Sequence, residues 1–348
     1  MTVRIVPLDP TDDDLVDRWV RLCAAARAVD RPLGPPVCPR DFIAGLSVPW
    51  PASDNQDVLA LDGDDVVGWA QLSLPTMDNL DHAGLEAVVH PRRRGHGVGR
   101  GMSEHLAAAV SESGRTTVLA ETVQPLDEPS PAALSAAALL ESYGAKPALG
   151  ELESRLDLAA MPTGAAEGLR DEAAARADGY AVELWRDGAP ETAFADLGRL
   201  EATLTRDAPM GDLNWQPEVY DDQRWRDTLA SFTARGMRTY WAAARHRDSG
   251  ELVGYTLLVR EATTPQWLHQ WATVVEPAHR GHRLGLLIKA ANLLAARAYE
   301  PQARWVVTGN AAENTHMLAV NRRFGFVPIE RWTEWQLRIG PTGAGDRG

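Results

Sequence analysis

Cysteine, long apolar runs and any surplus of positive charge are what these 348 residues lack. The only cysteines, Cys23 and Cys38, offer neither a metal-ligand spacing nor a disulfide framework, so no metal is expected. No apolar stretch approaches the length of a membrane span. The opening MTVRIVPLDPTDDD has no basic n-region and no apolar h-region, so no signal peptide is expected and a cytoplasmic location is. Lys and Arg number 35 against 48 Asp and Glu, a net charge of −13. Such a balance argues against a broad nucleic-acid surface or attraction to anionic lipid, and it suits a cationic small molecule. The remainder is ordinary for a globular chain, with 45% hydrophobic and 24% charged residues, and the length is comfortable for two cores.

Internal repetition organises the chain. Asp65-Val-Val-Gly-Trp-Ala-Gln-Leu72 recurs as Glu251-Leu-Val-Gly-Tyr-Thr-Leu-Leu258, and Val88-Val-His-Pro-Arg-Arg-Arg-Gly-His96 as Val274-Val-Glu-Pro-Ala-His-Arg-Gly-His282. Gly68 and Gly254, Pro91 and Pro277, and Gly95 and Gly281 are each 186 positions apart. Chance does not hold one register across several segments, so the chain is a duplication. Each copy reads as a strand, a helix, three strands, an amphipathic helix, a strand, a helix and a last strand. In the first copy the opening helix follows a cap at Thr11, a Pro-rich excursion spans residues 31–51, and Val98, Met102, Leu106 and Val110 share one helical face. The fold class expected is mixed α/β: an N-terminal domain over 1–160, a linker over 161–179, a C-terminal domain over 180–340 and a disordered tail over 341–348. Two such copies supply an internal pseudo-twofold pair, so a monomer is expected.

Chemistry concentrates where an apolar strand meets a helix, in Val88-Val89-His90-Pro91-Arg92-Arg93-Arg94-Gly95-His96-Gly97-Val98-Gly99-Arg100. The free N–H groups of a helix start, with the positive end of its dipole, suit a pyrophosphate. Glycines let the backbone approach anionic oxygens, and arginines add charge. A tight turn with a solvated basic face is the plain alternative. Gly95, Gly97, Gly99 and Gly101 never form the dinucleotide pattern G-x-G-x-x-G, and no G-K-[ST] follows for a Walker loop.

This segment resembles the signature of the GCN5-related N-acetyltransferase (GNAT) family, [RQ]-x-x-G-x-[GA] after a strand carrying V-x-P. Arg94-Gly95-His96-Gly97-Val98-Gly99 fits in full behind Val89-His90-Pro91. Arg280-Gly281-His282-Arg283-Leu284-Gly285, behind Val274 and Val275, fits except that Arg283 replaces a glycine. The family's later N-x-x-A-x-x-L-Y-x-x-L-G-F resembles Asn314 to Phe326, and only Leu139–Ala145 echoes it in the first copy. The resemblance implies two tandem GNAT domains, each a central, mostly antiparallel sheet with splayed strands and flanking helices. It implies acetyl-CoA as cosubstrate, held by those two segments with Asn310 and Asn314, and direct transfer to an amine.

An alkyl amine of pKa about 10.4 must lose a proton before it attacks, so a general base is sought. Glu86 stands on the strand before the first loop, with Ala272 at the matching position. The tyrosine the family often uses as acid is Leu140 in one copy and Asn321 in the other. His316, one turn into the helix after Asn314, is a further candidate acid, so Glu86, His316 and Asn321 form the candidate catalytic set. Nine of the 12 tryptophans fall at or after Trp185. Asp212, Trp215 and Trp271 are expected on the acceptor side of the second copy, where aromatic and acidic groups suit a cationic substrate. These donors favour the second copy as the seat of turnover. The expected function is acetyl transfer to a primary amine of a small molecule; a non-catalytic acyl-CoA sensor or scaffold, or a protein N-acetyltransferase, are the alternatives.

Overall fold

The computed structural model describes residues 3–127 and 130–339; residues 341–348, expected to be a disordered tail, lie outside them. The described residues hold nine α-helices and 12 strands in two compact units. The first unit contains the described part of Met1–Glu151, with Met210–Trp215 and the described part of Glu330–Gly348. The second contains Leu152–Pro209 and Gln216–Ile329.

In chain order the first unit runs β1 (Arg4–Pro7), α1 (Asp13–Asp30), α2 (Pro39–Ser47), β2 (Ser53–Asp62), β3 (Asp65–Pro75), β4 (His82–Val89), α3 (Val98–Ser113), β5 (Thr117–Pro125) and α4 (Pro131–Ser142). It takes in the first half of β6 (Lys146–Asp157). Asp12, rather than Thr11, caps α1 by accepting from the Leu15 N–H at 3.0 Å, while Thr11 binds Asp9. Part of the Pro-rich excursion folds as α2, with Pro39 in its first turn, where its missing N–H costs nothing. The face of α3 carrying Val98, Met102, Leu106 and Val110 is buried on β3. Gly68 makes that approach close, since a Cβ there would lie 2.9 Å from the Met102 sulfur.

The second unit continues with α5 (Ala165–Ala174), β7 (Tyr180–Arg186), α6 (Phe194–Asp207), α7 (Asp222–Ala234), β8 (Arg238–His246), β9 (Leu252–Arg260), β10 (Trp267–Val275), α8 (Leu284–Tyr299), β11 (Trp305–Ala311) and α9 (Thr315–Phe324). The segment 161–179, expected to be a linker, therefore holds a helix. Its buried residues are small, Ala166 and Ala173, which join the core formed by α8, β8 and β9 with Leu169 packed against it. Alanine carries too little hydrophobic contrast for the buried face to stand out in a periodicity argument.

Strand order in the first unit is β1-β2-β3-β4-β5-β12, where β12 is Val327–Arg338 from the end of the chain. Nine residue pairs, Glu330 with Pro125 through Arg338 with Thr117, join β12 antiparallel to β5. In the second unit the order is β7-β8-β9-β10-β11, with the later half of β6 beside β11. Each unit is thus completed by a strand from the other half of the sequence. The compact units follow that exchange and not cuts near 160 and 180.

One strand pair in each unit is parallel and soon parts. β4 and β5 pair only from His82–Leu85 with Thr117–Ala120, and β10 and β11 only from Trp267–His269 with Trp305–Val307. Beyond those residues each pair opens into a cleft, and each glycine-rich segment begins at the end of the first strand of that pair.

Candidate active site

In the first unit Gly95 and Gly97 take left-handed backbone angles, φ 75° and 84°, and Gly97 is the N-cap of α3. Nothing lies within 4 Å of where a Cβ would stand on either residue, so no side chain crowds the backbone at this helix start. A side chain at Gly97 would be both strained and in the way of an anion. Arg94, the signature arginine, is committed elsewhere. Its Nε donates to the Val89 carbonyl (3.2 Å), and its two terminal nitrogens grip Asp30 at 2.8 and 2.6 Å. Arg93 pairs with Asp62 and Asp65, and His96 donates from Nδ1 to the Arg94 carbonyl. Arg92 and Arg100 remain exposed with no carboxylate partner among the described residues. The turn can therefore hold a pyrophosphate through backbone N–H groups, with those two cations alongside. Val88 and Val89 end the strand, and Val98 and Gly99 start the helix.

The second unit repeats the frame with altered chemistry. Arg280 donates from Nε to the Val275 carbonyl (3.1 Å) and pairs with Asp207 at 2.6 Å. Gly281 again has positive φ, but the next left-handed position is Arg283, at φ 57°. For a side chain other than glycine that conformation costs roughly 1–2 kcal/mol. The charge of Arg283 is not free for a phosphate: Glu172 of α5 binds both Arg283 and Arg323. His282 packs on Tyr180, whose hydroxyl is 2.9 Å from His279 Nδ1. Leu284 is buried in the core, and a Cβ on Gly285 would lie 3.8 Å from the Val275 side chain.

Across the first unit's sheet runs a row of polar side chains that the sequence reading saw only in part. Asp57 on β2 is the register partner of Gln71 on β3, and Gln71 of Glu86 on β4. Trp69 Nε1 and Gln71 Nε2 both donate to Asp57 Oδ1, at 2.9 and 3.0 Å. Glu121 on β5 and Glu334 on β12 face each other directly. Glu86 is crowded by surrounding protein, with Arg27 of α1 among its charged neighbours, while its side chain stays open to solvent. Burial, opposed by Arg27 and assisted by the charge of Glu121, pushes it up to about 6. Burial, a hydrogen bond with Glu121 and the charges of Glu121 and Glu151 push Glu334 up to about 10. Two carboxyls so placed hold one proton between them near neutral pH. Above the row, Arg31 pairs with Glu330 (2.8 Å) and covers the Trp332 ring at 4.6 Å.

In the second unit Leu257, which matches Gln71, has Trp241 as its register partner, and Ala272 matches Glu86. That row is apolar. The carboxylate of the second unit is instead Glu201 on α6, which accepts from the Tyr255 hydroxyl; burial pushes it up to about 7. The sequence reading missed both Glu201 and Glu334, because neither sits in a motif. A charged residue at an inward position of an apolar strand or helix was the signal available.

Several residues chosen from sequence have structural occupations. Asn321 is 2% exposed; it accepts from Lys289 Nζ (2.5 Å) and donates to Asn310 Oδ1 (2.6 Å). Burial lowers Lys289 to about 7. Asn314 caps α9 by accepting from the Met317 N–H at 3.1 Å. His316 is exposed on α9. Asp212 and Trp215 do not belong to the second copy's acceptor side. They lie in the first unit, where the Asp212 N–H donates to Ala148 O (2.8 Å) and Trp215 meets His82 edge-on at 5.3 Å. The crossing of residues 210–215 into that unit is a tertiary event that no local pattern announces. Trp271 is 45% exposed and lies against Phe232.

No model of a known family matches the sequence, and no curated protein sequence matches it. Solved structures do. A tandem GNAT protein from the clavulanic acid biosynthesis pathway is 29% identical, with a TM-score of 0.80, covering 98% of this chain and 100% of its own. A GCN5-related N-acetyltransferase from Sphaerobacter thermophilus is 19% identical, with a TM-score of 0.64, over 97% of this chain and 96% of its own. The N-myristoyltransferase of Saccharomyces cerevisiae, solved with bound myristoyl-CoA, shares the fold at 11% identity and a TM-score of 0.60, over 98% of this chain and 80% of its own. With a glycine-rich turn opening a helix beside splayed strands in both units, and with a solved tandem GNAT protein matching it end to end, the chain has the GCN5-related N-acetyltransferase fold in its tandem form.

Proposed function

We propose that the protein transfers an acetyl group from acetyl-CoA to a primary amine of a small molecule, and that the first unit carries the chemistry. One observation carries this reading: Glu86, crowded by protein yet open to solvent, stands on the strand that leads into the complete, unobstructed phosphate turn. With a pKa of about 6, Glu86 is a carboxylate at neutral pH and accepts the proton that an ammonium must lose. The amine nitrogen then bonds to the thioester carbon and the C–S bond breaks. The departing thiolate, of pKa about 8.5 by analogy with cysteine, needs little help. The acidic row beside Glu86 favours an acceptor that arrives as a cation.

The sequence-based preference for the second copy rested on Asn310, Asn314, His316 and Asn321. Two of these hold each other and Lys289, and a third caps a helix. With Arg283 neutralised and Ala272 at the base position, a binding or scaffolding role suits the second unit better. Thiol release from acetyl-CoA, measured against a panel of amines, tests the proposal. Release with at least one amine that is abolished in Glu86→Gln is expected; no release with any amine would leave the sensor reading in its place.

A further inference from the structure

In each copy of the repeat the helix after the opening strand ends in an aspartate: Asp30 ends α1, after β1, and Asp207 ends α6, after β7. A carboxylate there faces the negative end of the helix dipole, an arrangement costing roughly 0.3–1 kcal/mol. In both units the charge is answered by the signature arginine of the glycine-rich turn. Arg94 holds both oxygens of Asp30, and the pair is about three-quarters buried. Arg280 holds Asp207. In both, the same arginine donates from Nε to the carbonyl of the strand residue five positions earlier, Val89 or Val275. One guanidinium thus ties three parts together: the end of the strand, the turn and the end of that helix.

We infer that the signature arginine is a strut and not a phosphate ligand, and that Asp30 is a positioning residue for acetyl-CoA binding in the first unit. A guanidinium has five N–H donors. In Arg94 Nε is taken by a carbonyl and the two terminal nitrogens by the carboxylate, which fixes the fork facing α1. What the strut supplies is the orientation of the turn, so that the N–H groups around Gly95 and Gly97 converge on an anion before it arrives. It also fastens α1, whose Arg27 is a charged neighbour of Glu86, to the cofactor turn, so the acceptor side and the cofactor side are held in one frame. The duplicated geometry is the independent support, since the pairing persists in the second unit although its turn has lost a glycine.

The inference rests on the acetyl-CoA reading of the first turn, and its test separates the two. In protein labelled with 15N-arginine, the Arg94 Nε–H signal is assigned by its loss in Arg94→Gln. A strut gives a signal protected from solvent exchange without ligand, unmoved by saturating CoA and exposed in Asp30→Asn. In kinetics, Asp30→Asn and Arg94→Gln each raise KM for acetyl-CoA roughly tenfold, with kcat within about twofold. The double variant is no worse than either single one, and Asp30→Glu recovers most of the loss. An Arg94 signal that becomes protected only when CoA is added would overturn the inference. So would a large KM defect in Arg94→Gln beside an unaffected Asp30→Asn. If CoA fails to bind at all, the acetyl-CoA reading falls, while the signal without ligand still decides the strut.

Discussion

The two units share a frame and differ in what is mounted on it. Both place a glycine-rich turn at the end of a splayed strand, both clamp its arginine to the end of a helix, α1 or α6, and both keep a close-approach glycine at Gly68 or Gly254. Yet Asp57, Gln71 and Glu86 in one correspond to Trp241, Leu257 and Ala272 in the other. Gly97 corresponds to Arg283, whose charge goes to Glu172. The frame is set by backbone hydrogen bonds and core packing, which tolerate a change of side chain at the cleft surface. The cleft chemistry has no such constraint, so after duplication one copy can keep the frame while losing the groups that favour a transition state.

Cutting the chain gives the largest expected effect. A fragment of residues 1–160 lacks β12, which supplies nine paired residues to β5. That fragment leaves a long strand edge bare and should aggregate. Size-exclusion chromatography and circular dichroism check this, and a folded, monomeric fragment would mean that the strand exchange is dispensable. Next comes Gly97→Asp, which sets a carboxylate and a strained φ at the first helix start. It should weaken acetyl-CoA binding at least a hundredfold by calorimetry, with the matched Arg283→Asp changing it little. Equal losses from both would make the two turns functionally alike. The smallest effect belongs to Glu172→Gln. The ion pairs it breaks are half exposed, and such pairs contribute about 1 kcal/mol or less. CoA affinity at the second turn should therefore rise no more than about fivefold, read in the Gly97→Asp background.

The repeat and the signature turn were legible because they are local. A fixed offset of 186, a strand ending at Pro91 and glycines at 95, 97 and 99 need no tertiary knowledge. Glu86 was legible for the same reason, as one charged residue in an apolar strand. Hidden from the sequence was everything set by non-local pairing. The exchange of β12 into the first unit brings Glu334 opposite Glu121, and the excursion of 210–215 carries Trp215 to His82. Asn314 and Asn321 looked like acyl-end donors because they lie where the family has such donors. Their hydrogen bonds to Met317 N–H, Lys289 and Asn310 are visible only in the folded chain.

The assignment of chemistry to the first unit is tested most directly by comparing kcat/KM of Glu86→Gln and Asn314→Ala with one accepted amine across pH 5 to 9. For the native protein kcat/KM should rise with pH through about 6, where Glu86 loses its proton. Glu86→Gln should lower kcat/KM by about 10²-fold or more and abolish that rise. Asn314→Ala, which removes only a helix cap, should lower the melting temperature and leave kcat/KM near the native value. A near-native Glu86→Gln beside a crippled Asn314→Ala would place turnover in the second unit and contradict the account.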